Sequence, residues 1–482
     1  MPLLGALIVV LGFLGLAKAL GLLERNFRVI AVTRSALSVI GDRSLDDLQK
    51  ETALQQKARE LLVLFFSIIG ISLIALGVPL GAVWALDALN LLSFQAVIAT
   101  LTSAWFILAG VGVSLLYFLL KRGQGKESQE HTPLERTLHG LAFESWFPRV
   151  PLSRLESQLY RKQFSGIAIE RPVFITALPR AGTTLALELS LTVNEFATHT
   201  YGDMPFLLTP LLWERFSRNY RDSGALSERV HGDGILVNAE SPESFEEILW
   251  KEFWPSYYQA DRILPWSDAR YPAFEAFFKD HMRKIISLRS QQGKRTRYIS
   301  KNNLNIARVA YLKEVFPDAT ILVLFRTPLQ QASSLLKQHR NFLRIHQEDS
   351  FAREYMADTG HYDFGQNLRP VDFKGWFGKE SGSDPTTLDF WLKYWTHTYR
   401  YLLDSRNAQV QFYPFDDLCQ HPRRGLERLG QILAVSQVDP LLDKVDRIRQ
   451  PKLHPVDRDA LSSKVLEQAE DVYHELQRVS ST

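Results

Sequence analysis

Residues 179–184 read Pro-Arg-Ala-Gly-Thr-Thr, a set able to hold an oxyanion. Thr183 and Thr184 bring hydroxyl donors, and Arg180 brings a fixed charge whose fork fits phosphate or sulfate. The apolar run Val173–Ile175 before them reads as a buried parallel strand, and Leu185–Leu191 after them reads as a helix. A strand, a tight Pro/Gly turn and a helix in that order aim consecutive backbone N–H groups and the positive end of the helix dipole at one point.

The loop of nucleotide hydrolases, G-x-x-x-x-G-K-[ST], differs in one telling position. Ala177 stands at its first glycine, Gly182 at its second, Thr183 at its lysine and Thr184 at its final hydroxyl. The lysine that would reach the outer phosphates of ATP is missing, and the cation sits earlier, at Arg180. The backbone pattern binds phosphate, while the charge layout does not suit metal-assisted hydrolysis of ATP. The same six residue types also make ordinary turns, so the surrounding elements must decide.

Those elements alternate. Strand candidates are Val173–Thr176, Arg297–Ser300, Ala319–Phe325 and Val410–Tyr413; helical patterns fall at Leu185–Leu191, Leu304–Val315, Leu329–Phe342, Leu388–Leu403 and Arg424–Leu433. Alternation of this kind predicts an α/β fold, a P-loop-like parallel sheet flanked by helices, with ligands at the carboxyl ends of the strands. Three strand ends each present a cation: Arg180, Lys301 and Arg326, the last followed by Ser333 and Ser334. Solvated loops often carry one cation. Three, one of them inside a phosphate-type loop, predict a ligand with several anionic groups.

Composition narrows the class. The net charge of +3 over 482 residues gives no argument for nucleic acid. The single cysteine, Cys419, excludes a disulfide framework and a CxxC metal site, and no histidines stand at HExxH spacing, so no metal is expected. Residues 207–294 are rich in aromatics that read mostly as core, and Glu240, Glu243, Glu246 and Glu247 read as the solvated start of a helix.

Three apolar runs, 3–23, 61–86 and 94–120, exceed or approach the ~20 residues that cross a bilayer. The second and third contain no charged residue. The first carries Lys18 and is open to three readings: a spanning helix, an interfacial helix or a signal peptide; without a basic residue ahead of Lys18, a retained membrane helix is preferred. Seven Lys or Arg residues lie between runs one and two, none between runs two and three, and Lys121, Arg122 and Lys126 follow run three. The positive-inside rule then predicts a multi-pass membrane protein with the helical segment 26–60 and the C-terminal part in the cytoplasm. The polar stretch 121–135 reads as a linker, and 136–482 as the catalytic domain.

Two longer stretches now resemble a known family. Pro179-Arg-Ala-Gly-Thr-Thr184 resembles the P-R-S-G-T-T loop of sulfotransferases that use 3′-phosphoadenosine 5′-phosphosulfate (PAPS). Phe316-Pro-Asp-Ala-Thr-Ile-Leu-Val-Leu-Phe-Arg-Thr-Pro328, followed by Ser334, resembles the family's second signature, F-P-[DN]-A, a strand, R-D-P and a serine eight residues after the arginine. The late element Tyr413-Pro-Phe-Asp-Asp-Leu418 is similar to the family's Y-E-D-L. The resemblance implies that Arg180, Ala181, Gly182, Thr183 and Thr184 hold the phosphosulfate end, that Arg326 and Ser334 hold the 3′-phosphate, and that Lys301 contacts the transferring group. Ala181 replaces a serine, Thr327 an aspartate and Asn302-Asn303 a Ser-Pro, which marks a divergent, membrane-attached branch.

Related enzymes place an acidic base soon after the first helix, which here implies Asp203, with His199 as second candidate. Asp203 can equally cap a helix. The expectation is a PAPS-dependent sulfotransferase acting on a hydroxyl of a lipid, a glycan or a small molecule near the membrane, without metal. The competing readings are a P-loop kinase or NTPase, against which the missing lysine argues, and a non-catalytic membrane scaffold, against which the intact Arg180, Lys301, Arg326 and Ser334 argue.

Overall fold

The computed structural model describes residues 2–22, 47–103, 149–217, 241–243, 245–266, 270–290, 296–379, 384–456 and 461–481, with a few short pieces between them. They belong to two compact units, Met1–Lys126 and Glu127–Thr482.

In the first unit, α1 (Pro2–Ala19) packs against α2 (Asp47–Ala88) and α3 (Phe94–Leu101). Glycines permit the approach: a Cβ on Gly12 would lie 2.8 Å from Pro79, and one on Gly5 would lie 2.4 Å from Val97. α1 and α2 are each long and apolar enough to cross a membrane. Phe65, Phe66, Leu73 and Leu11 are exposed on them. Of the expected span 94–120, only 94–103 and Phe106 are described. The rest of it, most of 26–46 and the linker 121–135 lie outside the described residues.

The second unit is built on a five-stranded parallel sheet. Its strands are β1 (Val173–Thr176), β2 (Phe196–Ala197), β3 (Arg297–Lys301), β4 (Thr320–Phe325) and β5 (Val410–Pro414), in the order β2-β3-β1-β4-β5. β1 and β4 are near-continuous apolar runs because helices cover both faces. Alternate residues divide between two cores. Phe174, Ile321, Val323 and Phe325 pack with α6 (Pro272–Arg289) and α8 (Leu388–Asp404), whereas Val173, Ile175, Leu322 and Leu324 pack with leucines of α4 (Thr183–Ser190) and α10 (Pro422–Ile432). The aromatic run largely joins the first core: Phe245, Trp250, Trp254 and Trp266 are buried, though Phe216 is exposed.

The registers set the site. Ile175 pairs with Lys301, Thr176 with Val323 and Phe325 with Pro414, so the carboxyl ends of β1, β3, β4 and β5 lie side by side. α7 (Pro328–Glu348) starts straight from β4, and α9 (Phe415–Gln420) straight from β5. The four expected strands are all present. β2, two residues long, is too short to leave a sequence pattern.

Candidate active site

The chain leaves β1 through a turn with two residues in the left-handed region, Arg180 at φ 68° and Gly182 at φ 87°. Gly182 is required twice over, because a Cβ there would lie 2.2 Å from the Phe415 ring. Arg180 has no such freedom, and its backbone costs about 1 kcal/mol or more. Side-chain and main-chain contacts hold it there. Its Nε donates to Ser334 Oγ at 3.2 Å, and its carbonyl accepts from Arg326 Nη1 at 3.1 Å. Residues from the β1 turn, the end of β4 and the second turn of α7 thus converge. Ser333 Oγ, next to Ser334, is buried without a protein partner.

Arg326 is itself oriented. Its Nε faces Asp416 Oδ1 at 3.4 Å, while Asp416 Oδ2 accepts from the Thr327 amide and hydroxyl at 2.7 Å each. Thr327 therefore needs no carboxylate of its own: Asp416, from the start of α9, faces the arginine and caps α7.

At the end of β3, Lys301 Nζ stands 3.6 Å from Glu243 Oε1, and both side chains are buried. Glu243 Oε2 accepts from the Tyr201 hydroxyl at 2.9 Å. Backbone pairing brings Glu243 there: Tyr201 N donates to Ser241 O at 3.0 Å, and Glu243 N to His199 O at 3.3 Å. Asn303 then joins this group to the turn. Its Oδ1 accepts from Thr183 Oγ1 at 3.5 Å, and its Nδ2 donates to Asp363 Oδ2 at 3.4 Å. Burial pushes the Asp363 carboxyl up to about 6, against the opposing pull of Asn303 and Lys301. One ammonium thus lies close to two carboxylates, beside a cluster of arginine, serine and backbone donors.

The sequence profile of the sulfotransferase family matches residues 172–369, from the start of β1 past Asp363. Over these residues the chain is similar to the sulfotransferase family. Its solved likenesses include a sulfotransferase from Mycobacterium tuberculosis, 16% identical over 74% of this chain and 91% of that one, with a TM-score of 0.37. Another, from Mycobacterium avium, is 15% identical over 72% and 86%, with a TM-score of 0.39. The sulfotransferase domain of a Synechococcus olefin synthase is 14% identical over 64% and 96%, with a TM-score of 0.28. No curated protein sequence matches.

Arg180, Ala181, Gly182, Thr183, Thr184, Arg326 and Ser334 all fall on the converging elements of the matched segment, and Lys301 lies beside them. Asp203 and His199 do not open onto that group. Asp203 is 1% exposed, and Arg289 Nη2 holds both of its oxygens, at 2.6 and 2.5 Å. Its Oδ2 also accepts from the Thr200 amide at 2.8 Å, completing a capping box. His199 is equally buried, with Nε2 2.8 Å from Nε2 of His281. Burial lowers it to about 4. The strand-like stretch that carries both residues serves to hold Glu243.

The acidic group is not a solvated helix start. Glu243, Glu246 and Glu247 are buried and paired, while Glu240 lies outside the described residues. Glu247 clasps Arg308 at 2.5 and 2.7 Å, and Glu246 accepts from the Tyr298 hydroxyl at 2.9 Å. Carboxylates spaced through an aromatic-rich run were the available signal, since a buried charge must have a partner. Asp363 left no such signal.

Proposed function

We propose that this chain moves a sulfuryl group from PAPS to a hydroxyl of a membrane-held acceptor, a lipid or a lipid-linked glycan. The contact of Arg180 with both Ser334 and Arg326 carries the reading, because it puts two guanidinium groups and a hydroxyl where a nucleotide with phosphates at both ends needs them. The β1 turn amides, Thr183 and Thr184 take the phosphosulfate end; Arg326 and Ser334 take the 3′-phosphate. The orphaned Ser333 hydroxyl fits an anion site. α1 and α2 on the same chain favour an acceptor that resides in or on a bilayer, with the catalytic unit on the cytoplasmic side.

The donor, once bound, supplies the activated sulfuryl group and its phosphate leaving group. Glu243 takes the proton of the acceptor hydroxyl, and Tyr201 fixes its second oxygen. Lys301 faces the charge that builds as one S–O bond forms and the other breaks. A base in hydrogen-bond reach contributes roughly 10²–10⁴-fold, and a placed cation a few kcal/mol.

Calorimetry of the full chain in detergent with 3′,5′-adenosine bisphosphate tests the donor. Binding by the wild type that weakens in Arg326→Ala supports it; no binding by the wild type overturns it. Radioactive sulfate fed to cells with and without the protein identifies the acceptor as the labelled lipid or glycan that disappears.

A further inference from the structure

Asn303 is the side chain through which the β1 turn meets Asp363. An ionised carboxylate only accepts hydrogen bonds, so it must face the Asn303 amide nitrogen. That turns Asn303 Oδ1 toward Thr183, 3.5 Å from its Oγ1, with Asn303 Nδ2 3.4 Å from Asp363 Oδ2, and in this arrangement the Thr183 hydroxyl spends its only proton on Asn303. The loop then holds a threonine whose hydroxyl offers lone pairs to an anion. Once Asp363 carries a proton, its O–H can donate to Asn303 Oδ1. The amide turns over, its nitrogen donates to Thr183, and the hydroxyl proton is released toward the loop.

We propose that Asp363 is a positioning residue that, acting through Asn303, decides whether Thr183 can donate a hydrogen bond to the nucleotide held in the β1 turn. The inference rests on the donor-nucleotide reading given above. Among the described residues, Lys301 at the end of β3, Glu247 on α5 (Glu247–Phe253) and Tyr394 on α8 face Asp363 from the elements around it. Glu247 is already matched by Arg308, and the Tyr394 hydroxyl oxygen accepts from the Val371 N–H at 3.0 Å. Lys301 favours the ionised form, but burial outweighs it and places the transition near neutrality. Nucleotide binding then draws a proton into the site.

The experiment measures the affinity of the full chain for 3′,5′-adenosine bisphosphate at pH 5 and pH 8, in the wild type, Asp363→Asn, Thr183→Ala and the double variant. The phosphates of the ligand titrate in the same range, but that contribution is common to all four proteins and cancels in their ratios. Asn at 363 donates as the protonated acid does. Asp363→Asn should therefore match the wild type at pH 5 and bind about tenfold more tightly at pH 8, the worth of one charge-assisted hydrogen bond. In the Thr183→Ala background the same substitution should change nothing. A gain that persists there would mean only the removal of a negative charge near Lys301, and would overturn the proposal. So would Asp363→Asn binding no better than wild type at pH 8. Calorimetry in buffers of different ionisation enthalpy should read more proton uptake on binding at pH 7 in wild type than in Asp363→Asn, where the ligand's own contribution is the same; equal uptake in the two also overturns the proposal. Failure of the wild type to bind at either pH would sink the donor reading instead.

Discussion

Two buried cation–carboxylate pairs lie a few residues apart in both segments that form them, and they are built for opposite ends. Arg308 and Glu247 meet through two hydrogen bonds at 2.5 and 2.7 Å. The guanidinium lies 4.3 Å from the rings of both Trp250 and Trp266, and Asn302 and Tyr258 add further bonds to Glu247. Lys301 and Glu243 are 3.6 Å apart, too far for a hydrogen bond. An ammonium held to its counter-ion by charge alone can turn to a second anion; a guanidinium locked in a bidentate pair between two indoles cannot. The first pair fixes the fold. The second is the pair proposed for the chemistry.

The sharpest test of that contrast is Glu243→Gln, which keeps the shape and the Tyr201 contact but removes the base. It should lower kcat about 10³-fold, or ~4 kcal/mol of transition-state stabilisation, while the protein stays folded by circular dichroism. If more than a tenth of kcat survives, Glu243 is not the base. Asp203→Asn should instead act on stability, by breaking its bonds to Arg289.

Arg308→Met is the opposite case. Stranding Glu247 in the core should cost about 3 kcal/mol, read as a lower denaturant midpoint. The kcat of the folded fraction should fall by less than tenfold. A variant of normal stability and no turnover would put Arg308 on the chemical side of the comparison.

What the sequence discloses divides along the same line. The β1 turn, Arg326 and Ser334 are legible because each follows directly from a strand, so that local order fixes where they go. Lys301 is legible for the same reason. Glu243 and Asp363 are not, because tertiary pairing places them: one by a short antiparallel contact with residues 199–201, the other on a connection after α7 that reaches Asn303. Asp203 looks like a base because it is an acid at the expected distance along the chain. Its role is decided by Arg289, which lies 86 residues away. Asp416 shows the same limit, since it supplies from the start of α9 the carboxylate that the sequence lacks at Thr327.

Within the chemical side, Arg326→Ala separates binding from turnover. It should weaken 3′,5′-adenosine bisphosphate about 10²-fold, or ~3 kcal/mol, and raise KM for PAPS more than it lowers kcat. An equal fall in kcat with KM unchanged would move Arg326 from holding the nucleotide to stabilising the transition state.

Asp363→Asn gives the smallest effect and decides on which side of the comparison Asp363 belongs. Its carboxyl titrates near 6 in the folded protein and near 3.8 when exposed. A raised folded value means that the protonated form is favoured by folding, so the associated stability is complete below about 3.8 and is lost as pH rises through about 6. Above that, the ionised group is a burden on the fold. Asparagine removes the burden, so the variant should be more stable than wild type at pH 8, by on the order of 2 kcal/mol, with the gap closing towards pH 4. Denaturant midpoints at the two ends of that range measure it. A carboxylate that costs stability where the enzyme works is retained for what it does to the loop. If the variant is less stable at pH 8, Asp363 is a structural partner of Asn303, of the same kind as Glu247 with Arg308.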